Sequence, residues 1–457
     1  MRKTFVSFLI VSFVAVQTIS SSPVTREEAA SNIDLLAGSM RAYVAPVEKQ
    51  TPAPKGYKPF YLSHYGRHGS RYLHEASYYT GPMEILEKAA KDNALTDLGL
   101  DVYKKVSIIY SDAITRVGDL TPKGQAQHRG IADRMVQNFP EIFNSKSYIT
   151  ARSTTSHRVM MSMMSACMEL QGLLPKMNIS IDASAHDNSY MSTITNPANS
   201  ERNNSKKGSA VNAFNAAHSS SDRLILALFK DTAYIKHFEH TIQPRSFGGF
   251  GGFGATSQSQ SRTVIQDMSG TLFNQLMDIA QNMQSHDYNF DFNDLFTPNE
   301  WYDAFLKNNV YWYSVSAFTP LTNDVVPFGQ ENLLEDIISK ADSAIAGNGI
   351  SADLRFGHDT YLFPLVCLME INDCAWSVED LEKVADKWVD YDIVYMAANL
   401  QLVFYKNKKG NVLVKALLNE KESVLPVETD NFPYYDWNDL KNYYLKRLAD
   451  YRKETNR

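Results

Sequence analysis

Residues 67 to 71 read Arg67-His68-Gly69-Ser70-Arg71 and directly follow a short strand-like run of aromatic and aliphatic residues. Two arginines flank the histidine, and guanidinium groups bind phosphate oxygens bidentately and stay charged at any relevant pH. Gly69 lets the backbone approach an oxyanion closely, and the backbone N–H groups of a loop after a strand point the same way. The stretch therefore predicts an anion site at the end of a strand, with an imidazole inside it.

An imidazole held among arginines can attack phosphorus. It then forms a phosphohistidine and divides a difficult hydrolysis into two easier displacements. His68 is the candidate nucleophile, and Arg67 and Arg71 are candidate phosphate ligands. Two other interpretations stay open: the arginines as salt-bridged surface residues, and His64 with His68 as a metal pair at helical i, i+4 spacing. The glycines around His68 argue against a helix, and no acidic ligand set accompanies the pair.

A second candidate motif is Phe356-Gly357-His358-Asp359-Thr360, which follows another strand-compatible run. Cleavage of a phosphomonoester requires a proton on the leaving oxygen, and a carboxylic acid beside a bound dianion has its pKa raised, which suits a general acid. Asp359 is therefore the candidate proton donor. His358 would add a hydrogen bond or a positive charge to the phosphoryl oxygens. Taken alone, a His-Asp pair is a weak signal.

Together the two motifs resemble the histidine acid phosphatases, the branch of the histidine phosphatase superfamily that includes phytases and the multiple inositol polyphosphate phosphatases. Residues 152–158 are similar to the family's Arg-Ser-Thr segment, and the resemblance places the third phosphate-binding arginine at Arg158. Residues 120–127 are similar to the family's Leu-Thr-x-x-Gly-x-x-Gln helix start. Residues 398–401 and 418–421 resemble the closing hairpin of the inositol polyphosphate phosphatases.

Strands and helices alternate at both ends of the chain around a mainly helical middle, which predicts an α/β core with a helical cap. The resemblance implies a three-layer sandwich with a mainly parallel sheet, with residues 23–160 and 346–457 as the catalytic core and residues 161–345 as the inserted cap. It implies a metal-independent phosphomonoesterase without a cofactor, because the arginines stabilise charge that Mg²⁺ handles elsewhere. The site residues that it implies are the catalytic His68 and Asp359 and the phosphate ligands Arg67, Arg71, Arg158 and His358.

The position of the acidic residue in the second motif bears on which phosphate ester is the substrate. Inositol polyphosphate phosphatases typically have His-Ala-Glu where this chain has His358-Asp359-Thr360, the order of the acid phosphatases and many phytases. We expect inositol polyphosphates such as phytate as substrates, with a broad-specificity acid phosphatase acting on sugar phosphates or nucleotides as the alternative. A non-catalytic phosphate-ester binding protein is an interpretation from another class, but a binder needs neither His68 nor Asp359.

Charge and the N-terminus indicate where such a protein works. With 45 Lys and Arg against 51 Asp and Glu, the net charge of -6 excludes nucleic-acid binding through bulk positive charge. The N-terminus has the three parts of a secretory signal peptide: Arg2 and Lys3, an apolar stretch over residues 5–16, and small polar residues ending near Ser22. We expect residues 1–22 to be the signal peptide of an exported, periplasmic or secreted protein without a membrane span. A frayed N-terminal helix is the alternative.

Two further features carry open interpretations. Cys367 and Cys374 either pair in an oxidising compartment or remain thiols, since Cys367 lies in an apolar run. Residues 200–262 carry eight positive and four negative side chains. Since the arginine clamp holds one phosphoryl group, we expect cap cations, Lys206 and Lys207 among them, to bind the other phosphates of a small polyanionic ester. A solvated helix face is the alternative.

Overall fold

The computed structural model describes residues 31–242 and 262–456, so the predicted signal peptide lies outside the described residues. The strands of the described residues are β1 Tyr57–Arg67, β2 Tyr148–Ser153, β3 Asn178–Asp182, β4 Phe238–Ile242, β5 Arg262–Gln266, β6 Ala352–Gly357, β7 Asn399–Asn407, β8 Val412–Leu418, β9 Lys421–Ser423 and β10 Tyr435–Asp436.

The α-helices are more numerous and range from one turn to five. They are α1 Ser77–Lys91, α2 Asp97–Ala113, α3 Pro122–Asn138, α4 His157–Leu173, α5 Ala185–Met191, α6 Ala198–Arg202, α7 Ser205–Ala217, α8 Asp222–Leu228, α9 Ala233–Lys236, α10 Ser269–Asn282, α11 Pro298–Ser316, α12 Glu331–Ile345, α13 Asp359–Leu368, α14 Asp390–Ile393 and α15 Trp437–Glu454. Among the described residues, no helix is long and apolar enough to cross a membrane.

The main sheet has a parallel centre and an antiparallel edge. Its strand order is β10-β8-β7-β1-β6-β2-β3, with β9 beside β8. β1, β6, β2 and β3 run parallel, and the antiparallel hairpin of β7 and β8 lies on the other side of β1. The predicted α/β fold with a central, mostly parallel sheet is confirmed, as is the hairpin near the C-terminus.

Helices cover both faces of this sheet. On one face α3 and α4 pack against apolar side chains of the parallel strands, such as Leu62, Ile149 and Leu354. On the other face α13 and α15 pack against side chains such as Tyr65 and Phe404. The last seven residues of β1 are all buried, as expected for a central strand covered on both sides. The result is a three-layer arrangement with β1 at its centre.

The predicted start of the cap at residue 161 falls inside a helix. Helix α4 runs without a break across that position, and β3 pairs with β2 in the main sheet. β3 was not predicted, because this edge strand, Asn178–Asp182, mixes polar and apolar side chains. We therefore propose that the chain leaves the core after Asp182 and returns at Ala352, and the division into core and cap stays a prediction.

The two cysteines near the C-terminal end of α13 are neighbours in space. Cys367 and Cys374 are buried free thiols, and their sulfur atoms lie 3.4 Å apart. Burial of Cys367 follows from its apolar run, as the thiol interpretation expected.

The loop after β1 touches the start of α3 backbone to backbone. A Cβ on Gly69 would lie 2.5 Å from the Gly124 carbonyl oxygen, and a Cβ on Gly124 would lie 2.3 Å from the Ser70 carbonyl oxygen. Thr121 caps α3 by accepting from the Gly124 N–H at 3.1 Å, and its hydroxyl donates to the Ser70 carbonyl at 3.0 Å. Only glycine permits this approach, so the contact fixes the loop against α3.

We expect Gly124→Ala to destabilise the protein by about 1–3 kcal/mol, because the added methyl group has no room against the Ser70 backbone. Gly172→Ala in α4 is the matched control, since a Cβ there meets nothing within 4 Å. Alanine is favoured over glycine in a helix by about 1 kcal/mol, so the control should be neutral or stabilising. Thermal unfolding compares the two variants, and similar shifts in both would contradict the packing argument.

Candidate active site

Both sequence motifs lie at the carboxyl ends of adjacent parallel strands. Arg67, the last residue of β1, is in register with Gly357, the last residue of β6. The residues that follow each strand therefore emerge side by side. The His68 N–H donates to the Gly357 carbonyl at 3.1 Å, and the rings of His68 and His358 lie 5.7 Å apart between centroids. The fold thus joins two motifs that are far apart in the sequence.

The environment of His68 sets its tautomer and its charge. Nδ1 lies 2.9 Å from the Gly69 carbonyl oxygen. Because a carbonyl oxygen only accepts, Nδ1 carries the proton and Nε2 keeps its lone pair. Burial, with the charges of Arg67, Arg71 and Arg158, holds the pKa of His68 well below its usual value. The ring is therefore neutral, with Nε2 free to act as a nucleophile.

The loop that carries His68 is held by two side chains from α3 and α4. The Gly69 N–H donates to Ser162 Oγ at 3.1 Å. The Ser70 N–H donates to Gln127 Oε1 at 2.9 Å, and Gln127 Nε2 donates to Ser70 Oγ at 2.9 Å. These contacts place the imidazole before any ligand binds, which is the condition for efficient attack.

Three arginines converge on the imidazole. The Nε atoms of Arg67, Arg71 and Arg158 are buried and have no hydrogen-bond partner in the described part of the chain. Arg67 Nη1 donates to the Ser39 carbonyl at 2.5 Å, and Arg71 Nη1 donates to the Tyr72 carbonyl at 2.9 Å. Buried donors without acceptors are rare in proteins because they cost free energy. Three of them around one point make a donor set suited to an oxyanion.

His358 connects this donor set to β2. Its Nε2 lies 3.2 Å from Thr154 Oγ1, and its Nδ1 lies 3.5 Å from Arg158 Nη2. Because a guanidinium only donates, Nδ1 accepts and Nε2 carries the proton. Burial lowers the pKa of His358 to about 4; Asp359 opposes this change and Arg158 adds to it.

Asp359 is the first residue of α13 and forms an ion pair with Arg67. Its Oδ2 lies 2.5 Å from Arg67 Nη2, and its Oδ1 accepts from the Thr360 N–H at 2.7 Å. Burial acts to raise the pKa of Asp359, but Arg67, His358 and Arg71 outweigh it and lower this pKa to about 2. With these partners the carboxyl group is ionised, and a role as proton donor requires its pKa to rise.

All six predicted site residues lie around one point, although their roles stay predictions. The structure adds Ser39 and Ser162, which no motif indicated, and gives Thr154 of the Arg-Ser-Thr segment a contact with His358. Serine is common everywhere, so only the fold identifies Ser39 and Ser162.

The other interpretations of the first motif do not fit the structure. Arg67 is 1% exposed and Arg71 7% exposed, so they are not surface residues. The His64 ring packs 5.2 Å from the Phe356 ring, and burial lowers the pKa of His64 to about 3. Gly66 makes room for that ring, since a Cβ there would lie 2.7 Å from it. His64 is a packing residue, and residues 31–242 and 262–456 hold no group of three or more His, Cys, Asp or Glu that could bind a metal.

Comparison with known proteins agrees with this geometry. The sequence matches the family model of the histidine phosphatase superfamily (branch 2) over residues 66–419. The chain belongs to this family. It is a phosphatase, a phosphoric monoester hydrolase of the histidine acid phosphatase type, and the resemblance drawn from the two motifs is confirmed. No curated protein sequence matches the chain directly.

Solved structures of other branch 2 histidine phosphatases share the fold. A multiple inositol polyphosphate phosphatase of Bifidobacterium longum in complex with inositol hexasulfate has a TM-score of 0.71 at 19% identity, over 90% of this chain and 97% of that chain. Its complex with phosphate has a TM-score of 0.72 at the same identity and coverage. A phytase from D. castellii has a TM-score of 0.62 at 15% identity, over 91% of this chain and 85% of that chain. At these identities the likeness concerns the fold.

Anion binding should raise the pKa of Asp359. An anion on Arg67 neutralises charge that lowers this pKa and adds a repelling negative charge. We expect sulfate, which stays fully ionised at about pH 5, to bind with uptake of a proton, at most about one per site. Calorimetry in buffers of different ionisation enthalpy measures the uptake.

Asp359→Asn is the control for this prediction, because an amide has no proton to gain. It should bind sulfate without proton uptake. Uptake that persists in the variant would assign the proton to another group.

Proposed function

We propose that this protein is an exported, metal-independent phosphatase that hydrolyses inositol polyphosphates such as phytate through a phosphohistidine intermediate. The observation that carries the reaction type is a neutral His68 with Nε2 unprotonated, surrounded by three buried arginine Nε atoms that have no partner in the described part of the chain. The clamp formed by Arg67, Arg71, Arg158 and His358 binds the phosphoryl group and stabilises the charge of its transition state.

The first half-reaction transfers the phosphoryl group to His68. Nε2 attacks phosphorus, the P–O bond to the leaving group breaks, and Asp359 gives its proton to the departing alkoxide. In the second half-reaction the Asp359 carboxylate takes a proton from water, whose oxygen attacks phosphorus. The P–N bond breaks, phosphate leaves, and His68 regains its free Nε2.

A cation of the helical middle supports a polyphosphorylated substrate. Arg202 ends α6 and is partly buried, and its side chain has no hydrogen bond or ion pair within the described ranges. Burial lowers the pKa of Arg202, while Tyr311, Tyr361 and Asp359 raise it, which places its charge near the proton donor. The pKa of Lys207 is lowered by burial and by Arg202, so this second cation lies close to the first. A second phosphate of the substrate could therefore bind a cation whose side chain has no acceptor among the described residues.

The remaining cations of the basic region are less suited to this role. Arg223 Nη2 pairs with Glu300 at 2.7 Å, and Lys230 Nζ donates to Asn93 Oδ1 at 2.8 Å. Lys206 is exposed. We therefore propose Arg202 and Lys207 as the cations of this region that bind further phosphates.

A broad-specificity acid phosphatase is the second candidate. The observation that favours it is the position of the acidic residue directly after His358, which is the order found in the acid phosphatases.

We propose export in either case, with residues 1–22 as the signal peptide. The N-terminal sequence of the protein recovered from its native cells tests this proposal.

Phosphate release from three esters tests the proposal: inositol hexakisphosphate, a simple sugar phosphate and p-nitrophenyl phosphate, each with a metal chelator present. We expect the highest specificity constant for inositol hexakisphosphate. A higher value for the sugar phosphate would favour the acid phosphatase alternative, and no release from any ester would favour a binding protein. Loss of activity in chelator that a divalent metal restores would contradict metal independence.

Substitution of the two catalytic candidates should separate their roles. His68→Ala should abolish turnover of every ester, because no nucleophile remains. Asp359→Asn should slow the sugar phosphate by about 10²–10⁴-fold but p-nitrophenyl phosphate far less, since its phenolate leaves without a proton. Steady-state rates measure both effects. Equal losses on both esters in Asp359→Asn, or more than a few per cent activity in His68→Ala, would contradict the assignments.

Removal of positive side chains near the site should weaken binding of a polyanionic substrate more than binding of a simple monoester. We expect Arg202→Ala and Lys207→Ala to raise KM for inositol hexakisphosphate at least about tenfold, as each removes a partly buried charge contact. p-Nitrophenyl phosphate should change little. Lys206→Ala is the matched control, a neighbouring lysine that is exposed and should affect neither ester. Similar KM changes for both esters, or in the control, would show that these cations do not contact further phosphates.

A further inference from the structure

One terminal nitrogen of the Arg67 guanidinium is bound by a segment that lies far from both motifs in the sequence. Residues Ile33–Met40 form a short 3-10 helix before the sheet begins. Arg67 Nη1 donates to the Ser39 carbonyl of this segment at 2.5 Å, and both residues are buried. With Nη1 occupied, the edge formed by Nε and Nη2 faces the clamp, where Nη2 already pairs with Asp359.

Ser39 is in turn fixed by a buried carboxyl group. Its N–H donates to Asp390 Oδ2 at 3.0 Å. The Asp390 N–H donates to Asn309 Oδ1 at 2.8 Å, and Asn309 Nδ2 donates to the Trp388 carbonyl at 2.9 Å. Asp390 and Asn309 are each 0% exposed. A continuous chain of buried hydrogen bonds therefore runs from α11 through Asp390 and Ser39 to Arg67.

Gly38 gives the carboxyl group access to Ser39. Its φ is +55° and its ψ is -130°, a conformation that favours glycine. A Cβ at this position would lie 2.6 Å from Asp390 Oδ2. The backbone of the segment is thus shaped around the carboxyl group of Asp390.

The buried position of Asp390 reduces the stability of the folded protein. Its Oδ1 is buried and has no hydrogen-bond partner among the described residues, and an unsatisfied buried acceptor reduces stability. Burial raises the pKa of Asp390 to about 7, while the Ser39 and Tyr391 N–H groups and Arg67 act to lower it and Asp392 to raise it. At acidic pH the carboxyl group is protonated, so it holds Ser39 by hydrogen bonding and not by charge.

We propose that Asp390 is a positioning residue: acting through the backbone N–H and carbonyl groups of Ser39, it orients the Arg67 guanidinium so that its Nε and Nη2 face the phosphoryl group. This proposal rests on the proposed role of Arg67 as a phosphoryl ligand. Asp390 itself contacts neither His68 nor the ester, and it acts on the rate only through Arg67.

A pair of substitutions at Asp390 tests the hydrogen bond. Asp390→Asn keeps an acceptor for the Ser39 N–H, whereas Asp390→Leu removes it at similar size. With p-nitrophenyl phosphate at about pH 5, we expect Asp390→Leu to lower kcat/KM about tenfold or more, and Asp390→Asn to keep most of the activity. If Asp390→Leu does not fold, as thermal unfolding shows, Asp390→Ala repeats the comparison with a smaller side chain.

A double-mutant cycle with Arg67→Ala shows whether Asp390 acts through Arg67. In the Arg67→Ala background, substitution of Asp390 by Leu should change kcat/KM less than about twofold, because the group that it positions is absent. Trp312→Phe is the control: it removes the hydrogen bond to Ser39 Oγ, 2.9 Å in the structure, but leaves both backbone contacts of Ser39. It should retain activity.

The outcomes separate this inference from the proposed function. If Arg67→Ala leaves activity intact, the proposed role of Arg67 is wrong. If Arg67→Ala lowers kcat/KM but the Asp390 effect is absent, is the same in both backgrounds, or is as large for Asn as for Leu, the positioning role is wrong while the proposed function stands.

Discussion

The constraint on which this structure depends is the placement of three guanidinium groups around one uncharged imidazole. Moving a charged side chain out of water costs several kcal/mol even after relaxation, and like charges add repulsion. Asp359 offsets part of this cost through its ion pair with Arg67. The backbone carbonyls of Ser39 and Tyr72 accept from the arginines, which fixes the guanidinium planes as well as their charge. A site arranged in this way attracts an oxyanion because the Nε donors of the three arginines have no partner among the residues that the structure describes.

The fold holds the side chains of this cluster in fixed positions. Register between β1 and β6 sets His68 beside His358, since neighbouring parallel strands lie about 4.8 Å apart. The contact of Gly69 with Gly124 prevents the loop from moving away from α3. Reaction chemistry therefore depends on the sheet and the helices that pack directly on it. For selection of the ester we propose Arg202, which lies in the helical middle of the chain.

Much of this arrangement could be predicted from the sequence, and the limits have physical causes. The first motif was identifiable because two arginines around a histidine suit few sites other than an anion site. The roles of Arg158 and of the His358-Asp359 pair were expected from the family resemblance. β3 was missed because an edge strand needs no continuous apolar run. Ser39 and Asp390 were missed because their contact with each other spans 351 positions, and one of its partners is a peptide N–H that any residue carries. A residue that acts through its backbone N–H or carbonyl group cannot be recognised from its side-chain type.

That contact also bears on how the protein matures. Loop closure over such a distance is slow, and local helices and hairpins form well before it. Arg67 reaches its final orientation only when the Ile33–Met40 segment and α14 have docked together, and α14 lies in the last sixth of the chain. A nascent chain thus carries an incomplete clamp. Hydrolysis therefore begins only after the C-terminal region has folded, so an unfinished chain leaves phosphate esters intact.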